Sequence, residues 1–154
     1  MHAVSPPGGA SHPDLSGNGK VATFERNGWV YVSAKGRARR LTPGTQPSAN
    51  AYGTYAAFAR GGQIFNVTLQ GRPHVEAVAQ YPSGVVRGEE PTMSAGHSFV
   101  FYVDGQDVRS NGFATSMGRC ETGAPHQPAL SGHGNYVAYA CSGAGVYLTY
   151  VGPK

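Results

Sequence analysis

Uninterrupted runs of helix-forming residues are missing from this chain. Gly or Pro punctuates almost every ten residues, with 23 glycines and 11 prolines in 154, and long amphipathic helices do not tolerate that density. No apolar stretch reaches the length of a membrane-spanning helix, and the opening MHAVSPPGGA lacks the apolar centre of a signal peptide. If the protein is exported, this chain is expected to be a mature form or an excised piece. Charge is scarce as well: Asp, Glu, Lys and Arg make up 13% of the residues, for a net charge of +4. The positive excess is mostly local, in KGRARR from Lys35 to Arg40, and a solvated strand edge that discourages edge-to-edge association accounts for it better than a nucleic-acid surface. Neither a nucleic-acid partner nor a membrane span is expected.

The chain does contain short clusters of aromatic and β-branched residues. GWVYVS, TYAAFA, SFVFYV and NYVAYA are each bounded by Gly, Ser, Asn or Asp, which is how short strands read. The fold class is therefore all-β, and a length of 154 residues suits one domain, 1–154.

These clusters recur in register. With Pro13, Pro47, Pro91 and Pro128 as position zero, the residue three later is Ser16, Asn50, Ser94 or Ser131, and the residue six later is Gly19, Gly53, His97 or Gly134. Both positions carry turn chemistry. Eight places after the proline stand Val21, Tyr55, Phe99 and Tyr136; eleven places after it stand Phe24, Phe58, Tyr102 and Tyr139. The strand between these positions is apolar almost throughout and is predicted to be buried on both faces. A second strand follows in each unit: WVYVS, QIFNV, DVRS and VYLTYV. The prolines lie 34, 44 and 37 residues apart, enough for about four short strands per unit, and a recurring four-stranded unit is the signature of a β-propeller blade. The blades are expected at approximately 10–43, 44–87, 88–123 and 124–152, the last lacking its outer strand.

The phrases HPDLSGNGKVATF, WVYV and RRLTPG in the first unit, EEPTMS and SFVFYV in the third, and QPALSGHGNYVAYA and VYLTYV in the fourth resemble the WD-like repeat of TolB and its relatives. The resemblance covers about residues 10 to 152. It implies a TolB-like propeller that binds protein partners, in a periplasmic or extracellular setting. Propellers that resemble this chain are generally six-bladed. Four repeats therefore leave three arrangements: a partial array, a four-blade ring with residues 1–8 supplying the missing strand, or self-association of two copies to complete a ring.

Equivalent positions in successive blades form a ring around the axis, so the polar residue before each proline marks a candidate site. His12, Gln46, Glu90 and Gln127 are expected to line one mouth of the central channel and to converge there on a ligand or cation, or else to satisfy backbone groups and channel water. No cofactor is predicted. A metal ion in the channel is the weaker expectation, with His12, His126 and His133 as candidates, because no two histidines are equivalent in the repeat and none has metal-ligand spacing. DGQD, Asp104 to Asp107, lacks the later carboxylate of a calcium loop and reads as a strand-joining turn. No catalytic residues are assigned: GHS and LSGHG are not the strained nucleophile elbow, which needs a strand-to-helix turn. Cys120 and Cys141 are disulfide candidates, the alternative being two unpaired small core residues. The expected function is a non-catalytic binding or scaffold module working through loops and channel mouth. The alternatives are a propeller lyase or hydrolase with a channel metal or histidine site, and a carbohydrate-binding propeller using Trp29, Tyr52 and Tyr81.

Overall fold

The computed structural model describes residues 9–80, 83–96, 98–131 and 134–151. All regular structure among them is strand. Blade 1 consists of β1 (Ala10–Leu15), β2 (Val21–Arg26), β3 (Trp29–Ala34) and β4 (Arg37–Pro43); blade 2 of β5 (Thr45–Ala49), β6 (Tyr55–Arg60), β7 (Gln63–Thr68) and β8 (Val75–Ala77). Blade 3 consists of β9 (Glu89–Met93), β10 (Val100–Asp104), β11 (Asp107–Ser110) and β12 (Phe113–Arg119); blade 4 of β13 (Pro125–Leu130), β14 (Tyr136–Cys141) and β15 (Gly145–Tyr150). Each blade is an antiparallel meander in chain order, four strands in the first three and three in the last. The longest proline spacing, from Pro47 to Pro91, accommodates a small excursion after β8, where bridges pair Ala79 with Val85 and Gln63 with Arg87.

The Ser or Asn three places after each proline closes the first hairpin in the same way every time. The backbone N–H of Ser16, Asn50, Ser94 and Ser131 donates to the carbonyl of Val21, Tyr55, Phe99 and Tyr136 respectively. In return the N–H of the latter residue donates to the Ser Oγ or Asn Oδ1, at 3.1, 3.1, 3.0 and 3.1 Å. A short polar side chain thus satisfies a ladder group that the turn leaves open.

Strand alternation then sorts the apolar residues onto two faces. In blade 2, Ala56, Phe58 and Val67 face back toward blade 1 and join Val30 and Val32 there. Ala57, Ala59 and Ile64 face forward and join Val100 and Tyr102 of blade 3. Phe101 and Val108 in turn meet Val137 and Tyr139 of blade 4. The second strand is accordingly buried on both faces in blade 2, where Ala56, Ala57, Phe58 and Ala59 are all buried. In blade 4 the expectation of two buried faces fails: β14 alternates buried and exposed or half-buried residues, because no blade covers its forward face among the described residues.

Cys120 and Cys141 are joined by a disulfide, with Cα atoms 5.7 Å apart. The bond lies in the apolar cluster between blades 3 and 4, so it fastens two blades together across their interface. The basic KGRARR segment forms the turn into β4 and its exposed start, on the outer edge of blade 1. Arg40 lies over the Trp29 ring at 4.2 Å, and the Arg39 guanidinium donates to the Leu69 carbonyl of blade 2.

Candidate functional site

The innermost strands β1, β5, β9 and β13 surround a channel of about 690 Å³, lined by the Pro13, Pro47, Pro91 and Pro128 segments. His12, Gln46, Glu90 and Gln127 all lie on its wall. Their backbones share an uncommon feature: φ is 48°, 53°, 48° and 50°, in the left-handed region that side-chain-bearing residues avoid. In every blade the ladder between first and second strand shifts register at this residue and its proline. The pair is therefore a β-bulge, and the proline fits it because a bulge residue needs no N–H for the ladder.

The bulge turns the N–H of the left-handed residue away from its own blade and toward the preceding one. Gln46 N–H donates to Glu25 Oε2 of blade 1 at 3.2 Å, and Glu90 N–H to Gln46 Oε1 of blade 2 at 3.1 Å. Gln127 N–H donates to Glu90 Oε2 of blade 3. Each of the first three blades thus offers a side-chain acceptor that catches the bulge N–H of the next. Polarity at Gln46 and Glu90 serves the joints between blades.

Two histidines join this relay. His12 Nδ1 stands 3.1 Å from Glu25 Oε2, and His126 Nδ1 stands 3.5 Å from Glu90 Oε1 while its Nε2 meets Ser142 Oγ at 2.9 Å. Both rings are about half exposed, at 52% and 48%. His133 and Tyr81 lie outside the described residues. Among the described residues no group of three or more His, Cys, Asp or Glu gathers at ligand distance. Asp104 and Asp107 close the β10–β11 hairpin and both pair with Arg109, at 3.1 and 3.3 Å.

Glu25 is the member of this site that sequence reasoning passed over. It occupies the place twelve after the proline, where the other units have Ala59, Val103 and Ala140. A lone carboxylate in an apolar column was the available signal.

The far end of the channel differs in chemistry. Leu15, Ala51, Ala95 and Leu130 line it, with Leu15 61% exposed. Its rim is held by Asn18, whose side chain donates to the Tyr52 carbonyl at 2.7 Å, and by Asn50, whose side chain donates to the Ala95 carbonyl at 3.1 Å. Tyr52 stands at this end and is 63% exposed, whereas Trp29 is half-buried under Arg40 at the start of β3.

No protein-family model and no curated protein matches the chain. Solved structures do. TolB from Acinetobacter baumannii superposes with a TM-score of 0.63 at 15% identity, over 94% of this chain and 44% of the TolB chain. A TolB from Agrobacterium tumefaciens gives 0.62 at 15%, over 94% and 62%. A chain of the nidogen/laminin complex gives 0.64 at 11%, over 92% and 60%. The chain therefore spans about half of each structure it resembles. Radial blades joined in series around a common channel, superposable on these structures, give this chain the fold of a TolB-like β-propeller.

Proposed function

We propose that this propeller is a non-catalytic binding module whose channel and adjoining loops receive a segment of a protein partner. The observation that carries the proposal is the chemical asymmetry of the channel. One mouth presents Glu90 and the half-exposed His12, with His126 and Glu25 paired to them; the other presents Leu15, Leu130 and small alanines. A chain segment with an apolar end and a basic or hydrogen-bonding end matches that arrangement. The side chains of Gln46 and Glu90, with that of Glu25, are engaged in holding blade to blade. The Cys120–Cys141 bond supports an oxidising compartment, in keeping with a periplasmic or extracellular setting.

The test is site-specific photo-crosslinking in the source cells. A crosslinker at Leu15 or Leu130 is expected to yield a discrete protein adduct, and one at Arg37 on the outer edge is expected to yield none. Adducts from Arg37 but not from the channel would refute the proposal. Metal analysis of the purified protein separates it from a lyase or hydrolase: a stoichiometric transition metal lost on replacing His12 or His126 would favour the enzyme.

A further inference from the structure

Blade 4 departs from the repeat at two places, and the two departures meet. The residue two before each inner-strand proline is Ser11, Thr45, Glu89 or His126, and the residue fourteen after it is Asn27, Gly61, Gly105 or Ser142. Asn27, Gly61 and Gly105 open two-residue hairpins with φ of 51°, 59° and 61°, the left-handed geometry that such turns require. The blade 4 hairpin is one residue longer, because Cys141 pairs with Gly145, and Ser142 is not left-handed. Its Oγ meets His126 Nε2 at 2.9 Å. Across the ring, Nδ1 stands 3.5 Å from Glu90 Oε1, while Glu90 Oε2 is tied to the Gln127 N–H. The carboxylate favours the proton on Nδ1, which leaves Nε2 to accept from the Ser142 O–H. His12 is arranged differently: Ser11 Oγ, at 3.2 Å, and Glu25 Oε2, at 3.1 Å, face the same Nδ1.

We propose that Ser142 is an activated nucleophile, a modification site that takes an acyl group from a carboxylic ester, with His126 as its general base and Glu90 as the positioning residue behind the histidine. In the acylation step His126 Nε2 takes the proton of the Ser142 hydroxyl as Oγ bonds to the ester carbonyl carbon. The bond from that carbon to the leaving oxygen then breaks, the alcohol departs with the proton from His126, and Ser142 is left as an ester. The surroundings admit such a donor. Ser142 is exposed, and Gly123 faces it without a side chain: a Cβ there would stand 3.2 Å from Ser142 Cβ and 3.8 Å from its Oγ. The N–H groups of Ser142 and Gly143 have no acceptor among the described residues, so the backbone beside the nucleophile keeps donors for the oxygen that becomes negative. Neither Ser142 nor His126 lines the channel. The modification site is therefore separate from the binding reading, and the acylation is a stoichiometric reaction of the chain.

The test is incubation of the full chain with p-nitrophenyl acetate at pH about 8, where an ordinary histidine is neutral, with the rate of acetylation followed residue by residue by peptide mass spectrometry. Acetyl is expected to enter at Ser142 at least about tenfold faster than at Ser11, the serine whose histidine has both partners on one nitrogen. His126→Gln, which leaves the Glu90 to Gln127 hydrogen bond in place, is expected to lower the Ser142 rate to that of Ser11. Glu90→Gln is expected to lower it by a smaller factor and to weaken the Nδ1-protonated signature of His126 in nitrogen NMR spectra. Equal rates at Ser142 and Ser11 in the parent chain would overturn the proposal. So would a Ser142 rate indifferent to His126→Gln, or a parent His126 whose neutral ring carries its proton on Nε2.

Discussion

Val108 and Val146 are the same residue at the same place in successive blades, yet one is 0% and the other 78% exposed. Truncating each to Ala isolates what the blade-to-blade joint contributes. At Val108 the change removes two methyl equivalents, about 1.6 kcal/mol at roughly 0.8 kcal/mol each. The hole left against Phe101, Val137 and Tyr139 adds roughly 1 kcal/mol, since residual cavities cost about 24 cal/mol per Å³. At Val146 both terms vanish, leaving only the lower strand preference of Ala, which is common to the two sites and spans up to about 1 kcal/mol. The difference between the two variants is therefore expected to be about 2.5 kcal/mol, read from urea denaturation with equal m-values. Equal losses would refute the assignment of Val108 to a packed joint and of Val146 to an open one.

Further outcomes follow from the same geometry. Reducing the Cys120–Cys141 bond is expected to lower stability by about 3 kcal/mol, the value for a closed loop of this size, measured as a shift in denaturation midpoint with and without reductant. Gly44 and Gly88 both have φ of 153°, and a Cβ there would stand 2.3 Å from the Phe58 ring and 2.4 Å from the Val103 carbonyl oxygen. Gly88→Ala is therefore expected to cost upward of about 2 kcal/mol in the same denaturation assay, from backbone strain and overlap together. The Tyr102 phenol donates to Gln80 Oε1 at 2.7 Å, and burial, reinforced by Asp104 and opposed by Arg109, raises it above its usual range. The unfolded chain then ionises first, near pH about 10, so stability present below that pH is expected to fall as the pH rises further. Tyr102→Phe should flatten this part of the pH profile.

The blades were legible in the sequence because three constraints repeat independently in each of them. Ser or Asn three places after the proline specifies the hairpin, with Gly six places after it in three of the four units; the aromatic eleven places on fills the joint, and proline marks the inner strand. The hydrogen bonds of Ser16, Asn50, Ser94 and Ser131 show why that offset admits only short acceptors. The ring at His12, Gln46, Glu90 and Gln127 was legible only as a shared polarity. Its cause, a left-handed bulge that aims an N–H at the neighbouring blade, leaves no mark in residue type, since proline ordinarily pushes the residue before it toward extended backbone. Glu25 was missed because its acceptor role depends on which blade face looks toward Gln46, and that follows from packing and not from spacing. The same limit applies to Val146 and Leu148, whose sequence context matches that of buried neighbours.

The relay of bulge N–H groups is the feature that joins blades and channel wall, and amide hydrogen exchange reads it directly. The Glu90 amide should be protected in the native protein, and Gln46→Ala should speed its exchange by at least about tenfold while leaving the β6–β7 ladder amides unchanged. A Glu90 amide that exchanges in the native chain as fast as an open loop, or that ignores the loss of Gln46, would contradict the account.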